Sequence, residues 1–124
     1  MTGLTVGKMA VMFAFGLGGL VLSALSVSAD HAEGDTARGA TVYNGTCVAC
    51  HADNGKGAFP GVPNFTKRKG PLAKSDHELA LNIITGFQSP GSMMPMPAKG
   101  GDPNLTEQNV MDVIAYLRSA FGKK

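Results

Sequence analysis

Apolar side chains recur at helical spacing in three stretches of the chain, and this pattern predicts three helices. The last stretch follows Thr106, a favoured N-cap residue, and carries one continuous apolar stripe. The stripe consists of Val110, Val113, Ile114, Leu117 and Phe121. The middle stretch begins with Ser75 and Glu78, which have capping-box spacing, and ends at Gly86.

The first predicted helix, residues 35–44, carries Gly39 and Tyr43 on one face because the two residues are four positions apart. A glycine inside a helix costs about 1 kcal/mol relative to alanine, which indicates that another backbone comes close to Gly39. The apolar stripe of the last helix is the expected partner of this face. Residues 52–65 and 87–103 are predicted loops, since turn formers and prolines interrupt any regular period there.

Residues 1–29 have the composition of a leader sequence. Lys8 is the only charged residue in this segment, an almost wholly apolar stretch follows it, and Val27-Ser28-Ala29 has the small-x-small pattern of a signal-peptidase site. We expect cleavage after Ala29 and a single domain over residues 30–124. The alternative is an uncleaved anchor helix, because an apolar stretch of about 18 residues approaches the length that spans a bilayer. Either outcome predicts a domain outside the cytoplasm, in the periplasm.

The charge of the expected domain is close to neutral. The full chain has a formal charge of +2, and loss of the leader removes only Lys8, which leaves +1. This balance excludes the strongly basic surface of a nucleic-acid-binding protein. A basic segment remains, Lys67-Arg68-Lys69 with Lys74, which either steers association with an acidic partner or is a solvated loop.

The strongest chemical signal is the pentapeptide Cys47-Val48-Ala49-Cys50-His51. On one helical turn, positions i, i+3 and i+4 share a face, so two thiols can bond the vinyl groups of one haem while the imidazole reaches its iron. The motif therefore predicts one covalently attached haem c with the histidine as an axial ligand.

Two other readings of the pentapeptide are weaker. A structural zinc site needs a second pair of Cys or His ligands, and the remaining histidines, His31 and His77, do not form one. A dithiol redox site would lie near a βαβ pattern, and no strand-like run flanks the two cysteines.

Three methionines, Met93, Met94 and Met96, lie in the proline-rich loop after the middle helix. A thioether held on a stiff loop suits an axial iron ligand, because methionine opposite histidine is an established haem ligand pair. Packing beneath the haem edge is the alternative role, and it can apply to two of the three methionines at once.

The order of these features resembles the class I cytochromes c, in particular the small bacterial electron carriers. The similarity covers residues 35–121 and includes a Gly-x-x-x-Tyr helix, Cys-x-x-Cys-His, a glycine-rich turn, a middle helix, a Met-Pro loop and a final helix ending Ala115-Tyr116-Leu117. The resemblance implies an all-α cytochrome c fold, with three main helices and long loops around one covalently bound haem.

The resemblance also implies roles for residues on the proximal side of the haem. Cys47 and Cys50 would form the thioether bonds, and His51 would be the proximal ligand. The carbonyl of Pro63 would accept a hydrogen bond from the other ring nitrogen of the histidine, with Pro60 as the alternative acceptor. Such a bond fixes the ring orientation and the basicity of the ligand.

On the distal side, the resemblance implies that Met96 is the second axial ligand. The sequence from Met96 to Gly100 is similar to the Met-Pro-x-Lys-Gly loop that precedes the last helix in several family members. Met94 is also followed by proline and is the first alternative. Met93, or no methionine at all, is the second.

With both axial positions filled, the iron has no open site, so the resemblance implies an electron carrier and not an enzyme. The expected protein is a monomer that exchanges single electrons with redox partner proteins in transient complexes. One alternative is a cytochrome subunit of a dehydrogenase or oxidase complex. The other is a haem enzyme or gas-binding protein with an open iron site. Membrane attachment is expected only if the leader is uncleaved.

Overall fold

The computed structural model describes residues 33–122, so the expected leader and its cleavage site lie outside the described residues. Within this range lie four α-helices, α1 (Thr36–Val42), α2 (Val48–His51), α3 (Asp76–Thr85) and α4 (Glu107–Phe121). Short 3-10 turns cover Pro71–Ala73 and Ala98–Gly101. Between residues 33 and 122 the only β-type pairing is an isolated bridge. The all-α fold is confirmed, with three main helices because α1 and α2 belong to one helical run.

This first helical run is longer than the sequence pattern predicted. A π-helical segment, Tyr43–Cys47, joins α1 to α2 and carries the helix to His51. The pattern placed the end at Asn44, because Asn and the following Gly45 are poor helix formers. A wider π turn lets the run continue, and the N–H of Val48 donates to the carbonyl of Tyr43.

Helices α1 and α4 cross at Gly39, which is buried. A Cβ at this position would overlap the backbone carbonyl of Asp112 and lie 2.8 Å from the Cβ of Tyr116. Tyr43, one turn later, is 1% exposed, and its ring centroid is 5.3 Å from that of Tyr116. The predicted pairing of the first and last helices, and the predicted close backbone approach, are therefore confirmed.

A buried carboxylate fastens the start of α1 to α4. Asp112 is fully buried and accepts hydrogen bonds from the N–H of Asp35 at 2.7 Å, from Nε of Arg38 at 2.9 Å and from Nε2 of Gln108 at 2.9 Å. The hydrogen bond from Arg38 is the main cause that lowers the pKa of Asp112 to about 2. The carboxylate therefore stays charged throughout the neutral range.

Helix α3 packs against α4 through an apolar cluster. Its buried members are Leu79 of α3, Leu105, and Val110 and Ile114 of α4. Both predicted caps are present: Ser75 and Glu78 form a capping box, and Thr106 caps α4 with Asn109 as its partner. None of the helices found between residues 33 and 122 is long and apolar enough to cross a bilayer.

Candidate functional site

The two cysteines of the motif lie one turn apart at the end of the first helical run. Both are free thiols; Cys47 is half-buried and Cys50 is exposed. Burial, followed by the nearby charge of Cys50, raises the pKa of Cys47 to about 11.

The chain reverses direction immediately after His51. Ala52 has φ 59° and ψ 162°, a conformation that residues with a Cβ rarely adopt. Two N–H groups return to the end of α2: Gly57 donates to the carbonyl of His51 at 3.0 Å and Ala58 to that of Cys50 at 2.8 Å. The hydroxyl of Tyr43 donates to the carbonyl of Ala52 at 2.5 Å. The turn that presents the histidine is therefore held from both sides.

The imidazole of His51 is buried, with 8% of the residue exposed. Burial lowers the pKa of His51, so the ring is neutral at physiological pH, which is the form that binds iron. One face of the ring stacks on Phe65, with centroids 4.7 Å apart and planes 19° apart.

The hydrogen bond implied between His51 and Pro63 is not among the contacts of the structure. Nδ1 of His51 is buried and has no hydrogen-bond partner among the described residues, so Pro60 does not supply an acceptor either. The ring lies flat against Phe65, two residues beyond Pro63. The hydrogen bond to Pro63 stays a prediction.

The methionine loop is anchored at Met96. Phe87 and Met96 exchange two backbone hydrogen bonds, of 3.1 and 2.8 Å, and so form the isolated bridge. Met96 is partly buried, whereas Met94 is 55% exposed and Met93 is 97% exposed. Gly86, which ends α3, packs against the carbonyl of Met96, since a Cβ there would lie 2.8 Å away. The bridge fixes the backbone of one methionine of the three.

One close contact joins the methionine loop to the motif segment, and another joins that loop to the loop after the motif. A Cβ on Gly100 would lie 3.0 Å from Cγ2 of Thr46, so the end of the methionine loop touches the π-helical segment that carries Cys47. A Cβ on Gly61 would lie 3.0 Å from Cα of Ser92, so the loop after the motif meets the methionine loop. The fold therefore gathers the three predicted regions of the site.

The donors and their surroundings fit a haem. Two thiols one helical turn apart precede a neutral, buried imidazole, and a methionine loop contacts the segment that carries them. In residues 33–122, no three His, Cys, Asp or Glu side chains gather as a site for a bare metal ion.

The sequence pattern missed two structural features of this region. One is the contact of Phe65 with His51, at 4.7 Å between ring centroids, and with Phe121, at 6.0 Å. The other is the buried pairing of Asp112 with Arg38. The pairing of Asp112 could have been suspected, because a carboxylate lies inside the apolar stripe of the last helix. The contact of Phe65 had no such signal, since the sequence shows only a phenylalanine in an irregular loop.

Comparison with known proteins gives consistent matches. The family model for cytochrome c matches residues 36–121. Cytochrome c-555 of Prosthecochloris aestuarii is 36% identical over 91 residues, which cover 72% of this chain and 91% of the relative. Cytochrome c6 of Parathermosynechococcus lividus is 33% identical over 89 residues, or 72% and 94% of the two chains. The gluconate 2-dehydrogenase cytochrome c subunit of Pantoea cypripedii is 31% identical over 94 residues, but these are only 21% of that subunit.

Proposed function

The chain belongs to the cytochrome c family, and from this premise we propose that it is an exported single-haem protein that carries electrons one at a time between redox partners. The observation that carries the proposal is the arrangement of Cys47, Cys50 and His51 at the end of one helical run, with the imidazole buried and neutral. It is an electron-transfer protein and not an enzyme.

The residues of the motif have distinct roles in this proposal. Bound haem c supplies a one-electron ferric/ferrous couple. Cys47 and Cys50 would hold it through thioether bonds, and the buried imidazole of His51 would ligate the iron, since burial favours the neutral ring. The turn at Ala52, pinned by the hydroxyl of Tyr43, fixes the end of the helix from which the imidazole projects.

We propose Met96 as the second axial ligand. Its backbone is fixed by two hydrogen bonds to Phe87, and it is the most buried of the three loop methionines. Met94 is held only within its own loop, where the hydroxyl of Ser92 donates to its carbonyl at 2.8 Å, whereas the bridge ties Met96 to the end of α3. A ligand held in place loses less conformational freedom on binding, which favours Met96 over Met94. A thioether opposite an imidazole also raises the reduction potential.

The alternative functions receive less support. Dehydrogenase and oxidase cytochrome subunits are also similar to this chain, but it spans only 21% of the gluconate 2-dehydrogenase subunit and 29% of the oxidase subunit FixP of Bradyrhizobium sp.. Cytochrome c-555 of Prosthecochloris aestuarii and cytochrome c6 of Parathermosynechococcus lividus are matched over 91% and 94% of their length. This correspondence favours a free carrier.

We propose that the carrier acts in the periplasm after cleavage of residues 1–29, and that it meets its partners as a monomer. Lys67, Arg68 and Lys69 are exposed, and no ion pair engages them within residues 33–122, so they are available to an acidic partner surface. Lys74 is less available, since its Nζ lies 4.4 Å from the centre of the Phe87 ring. The mass of the protein from the producing cell tests the cleavage directly.

The ligation is tested by the absorption spectrum of the purified ferric protein. Methionine ligation gives a weak sulfur-to-iron band in the far red, and we expect the native protein to show it. Met96→Ala should abolish the band, while Met94→Ala and the fully exposed control Met93→Ala should retain it. A band that survives Met96→Ala and disappears in Met94→Ala would assign the ligand to Met94.

Carbon monoxide separates the carrier from an open-site haem protein. With both axial positions occupied, the reduced native protein should not bind carbon monoxide at neutral pH, whereas reduced Met96→Ala should bind it. Rapid binding by the native protein would contradict the carrier function and favour a gas-binding protein or an enzyme.

A further inference from the structure

Lys74 and Phe87 form a cation–π pair at the start of the methionine loop. Nζ of Lys74 lies 4.4 Å from the centre of the Phe87 ring, within the distance at which the face of a ring attracts an ammonium group. Lys74 is half-buried and Phe87 is 37% exposed, so the pair lies at the surface with part of its area covered. The charge of Lys74 therefore faces a partner within the chain.

The backbone of Lys74 is fixed on the C-terminal helix. Nη2 of Arg118, in α4, donates to the carbonyl of Lys74 at 2.8 Å, and Nη1 of the same guanidinium donates to the carbonyl of Leu72 at 2.9 Å. The N–H of Lys74 donates to the carbonyl of Pro71 at 3.1 Å. The side chain of Lys74 consequently starts from a point that cannot move without breaking contacts with α4.

Phe87 is joined directly to the proposed ligand. Its N–H donates to the carbonyl of Met96 at 3.1 Å, and its carbonyl accepts from the N–H of Met96 at 2.8 Å. The preceding residue, Gly86, packs against the same strand of backbone, since a Cβ there would lie 2.9 Å from the nitrogen of Ala98. A displacement of Phe87 therefore moves the backbone of Met96 with it.

We propose that Lys74 is a positioning residue of the electron-transfer site: its ammonium group holds the Phe87 ring and, through the bridge, keeps Met96 in place for the iron. This inference rests on the proposed role of Met96 as the second axial ligand. The contacts run from Arg118 through Lys74 and Phe87 to Met96, so they tie the methionine loop to α4. Removal of the charge loosens the start of the loop and favours the state in which the thioether has left the iron.

The rate at which the methionine leaves the iron measures this restraint. In the ferric haem-loaded protein, an excess of imidazole takes the axial position that the thioether vacates, and loss of the far-red band follows the exchange. At saturating imidazole the observed rate is that of methionine departure. Lys74→Met keeps an unbranched apolar side chain without the charge, and we expect it to raise this rate about two- to fivefold, the factor that corresponds to an exposed cation–π contact.

Matched variants separate the charge of Lys74 from its packing. Lys74→Arg keeps a cation at the same position and should restore the native rate. Lys69→Met removes one charge from an exposed side chain of the same basic segment and should leave the rate unchanged. If Lys74→Arg exchanges as fast as Lys74→Met, or if Lys69→Met exchanges as fast as either, the inference is overturned.

A double-mutant cycle tests whether Lys74 acts through Phe87. Phe87→Leu should raise the rate as well, and Lys74→Met should add nothing in the Phe87→Leu protein, because the pair is already broken. Effects that multiply would show two independent side chains and contradict the inference. A Lys74→Met protein with a lower unfolding midpoint but the native rate would also contradict it, since Lys74 would then only stabilise the surface. Should Phe87→Leu lose the far-red band outright, the comparison of Lys74→Met with Lys74→Arg decides.

Failure of the proposed ligation is seen separately. A far-red band that is missing from the native protein, or that survives Met96→Ala, removes the ligand on which the inference rests before any Lys74 variant is made. The pair itself is measured by proton NMR of the reduced protein, in which the Phe87 ring should shift the ε-methylene protons of Lys74 upfield. If this shift is the same in Phe87→Leu, the two side chains do not meet and the inference is wrong.

Discussion

Gly39 of α1 lies directly against the backbone carbonyl of Asp112 of α4, so closely that a Cβ on the glycine would overlap it. We expect Gly39→Ala to reduce the free energy of unfolding by about 3 kcal/mol, because the two helices must separate to admit one methyl group. Gly45→Ala is the control, since a Cβ there meets nothing within 4 Å. It should raise the stability by about 0.5 kcal/mol through its better helix propensity. Denaturant unfolding measures the free energy of both variants. Equal changes in the two would contradict the close approach of the helices at Gly39.

Asp112 makes the stability depend on pH in the acid range. Its pKa is about 2 in the folded protein, below the value of about 3.9 for an unperturbed Asp. The stabilisation is therefore complete above pH about 4 and is lost as the pH falls toward 2. Asp112→Asn should reduce the free energy of unfolding by about 2 kcal/mol at neutral pH. The difference in free energy of unfolding between this variant and the native protein should shrink below pH about 3.

Unfolding curves of the native protein, Asp112→Asn and the exposed control Asp53→Asn, recorded from pH 7 downward, measure this dependence. The native protein and Asp112→Asn should differ less in free energy of unfolding as the pH falls. If this difference stays constant with pH, the carboxylate is not held in its charged form by Arg38.

Ala52 stores backbone strain at the turn after the motif. Its φ of 59° with ψ of 162° lies in a region that costs a residue with a Cβ about 1–3 kcal/mol. Ala52→Gly should therefore raise the stability by about 1 kcal/mol, after allowance for the larger entropy of glycine in the unfolded chain. Ala49→Gly, in exposed helix, should lower it by about 1 kcal/mol. The opposite signs, measured by thermal unfolding, are the diagnostic result.

Arg118 fastens α4 to the start of α3. Its guanidinium donates to Oδ1 of Asp76 at 2.6 Å and to the carbonyls of Leu72 and Lys74 at 2.9 and 2.8 Å. The three acceptors are reached by three different nitrogens of the guanidinium, and the single nitrogen of a lysine cannot reach all of them. Arg118→Lys should therefore reduce the free energy of unfolding by about 1–2 kcal/mol.

Hydrogen exchange should show the loss as faster exchange of amides in residues 71–79. The exposed Arg68 is the control, and Arg68→Lys should change the stability by less than about 0.5 kcal/mol. Unchanged exchange in Arg118→Lys would mean that the three contacts do not restrain the segment.

Several elements were predictable because their causes are local. The capping residues Ser75 and Thr106, the end of α3 at Gly86 and the stripe of α4 depend on neighbours within one or two turns, and all were found as predicted. The pattern failed at Asn44, where local propensity favoured a helix end. Tyr43, the first residue of the π segment, packs against Tyr116 and Phe121 of α4, a tertiary contact that local propensity does not include.

The spacing of Cys47, Cys50 and His51 is enough to predict haem attachment, because it places two thiols and an imidazole on one turn of any helix that contains them. The sequence also offers three neighbouring methionines as candidates for a second axial ligand. The folded chain was needed to show that Met96 pairs with Phe87, that Phe65 lies flat on His51, and that Asp112 is buried with Arg38. These relationships join residues far apart in the chain, and their geometry is set by how the helices pack, which no local pattern specifies.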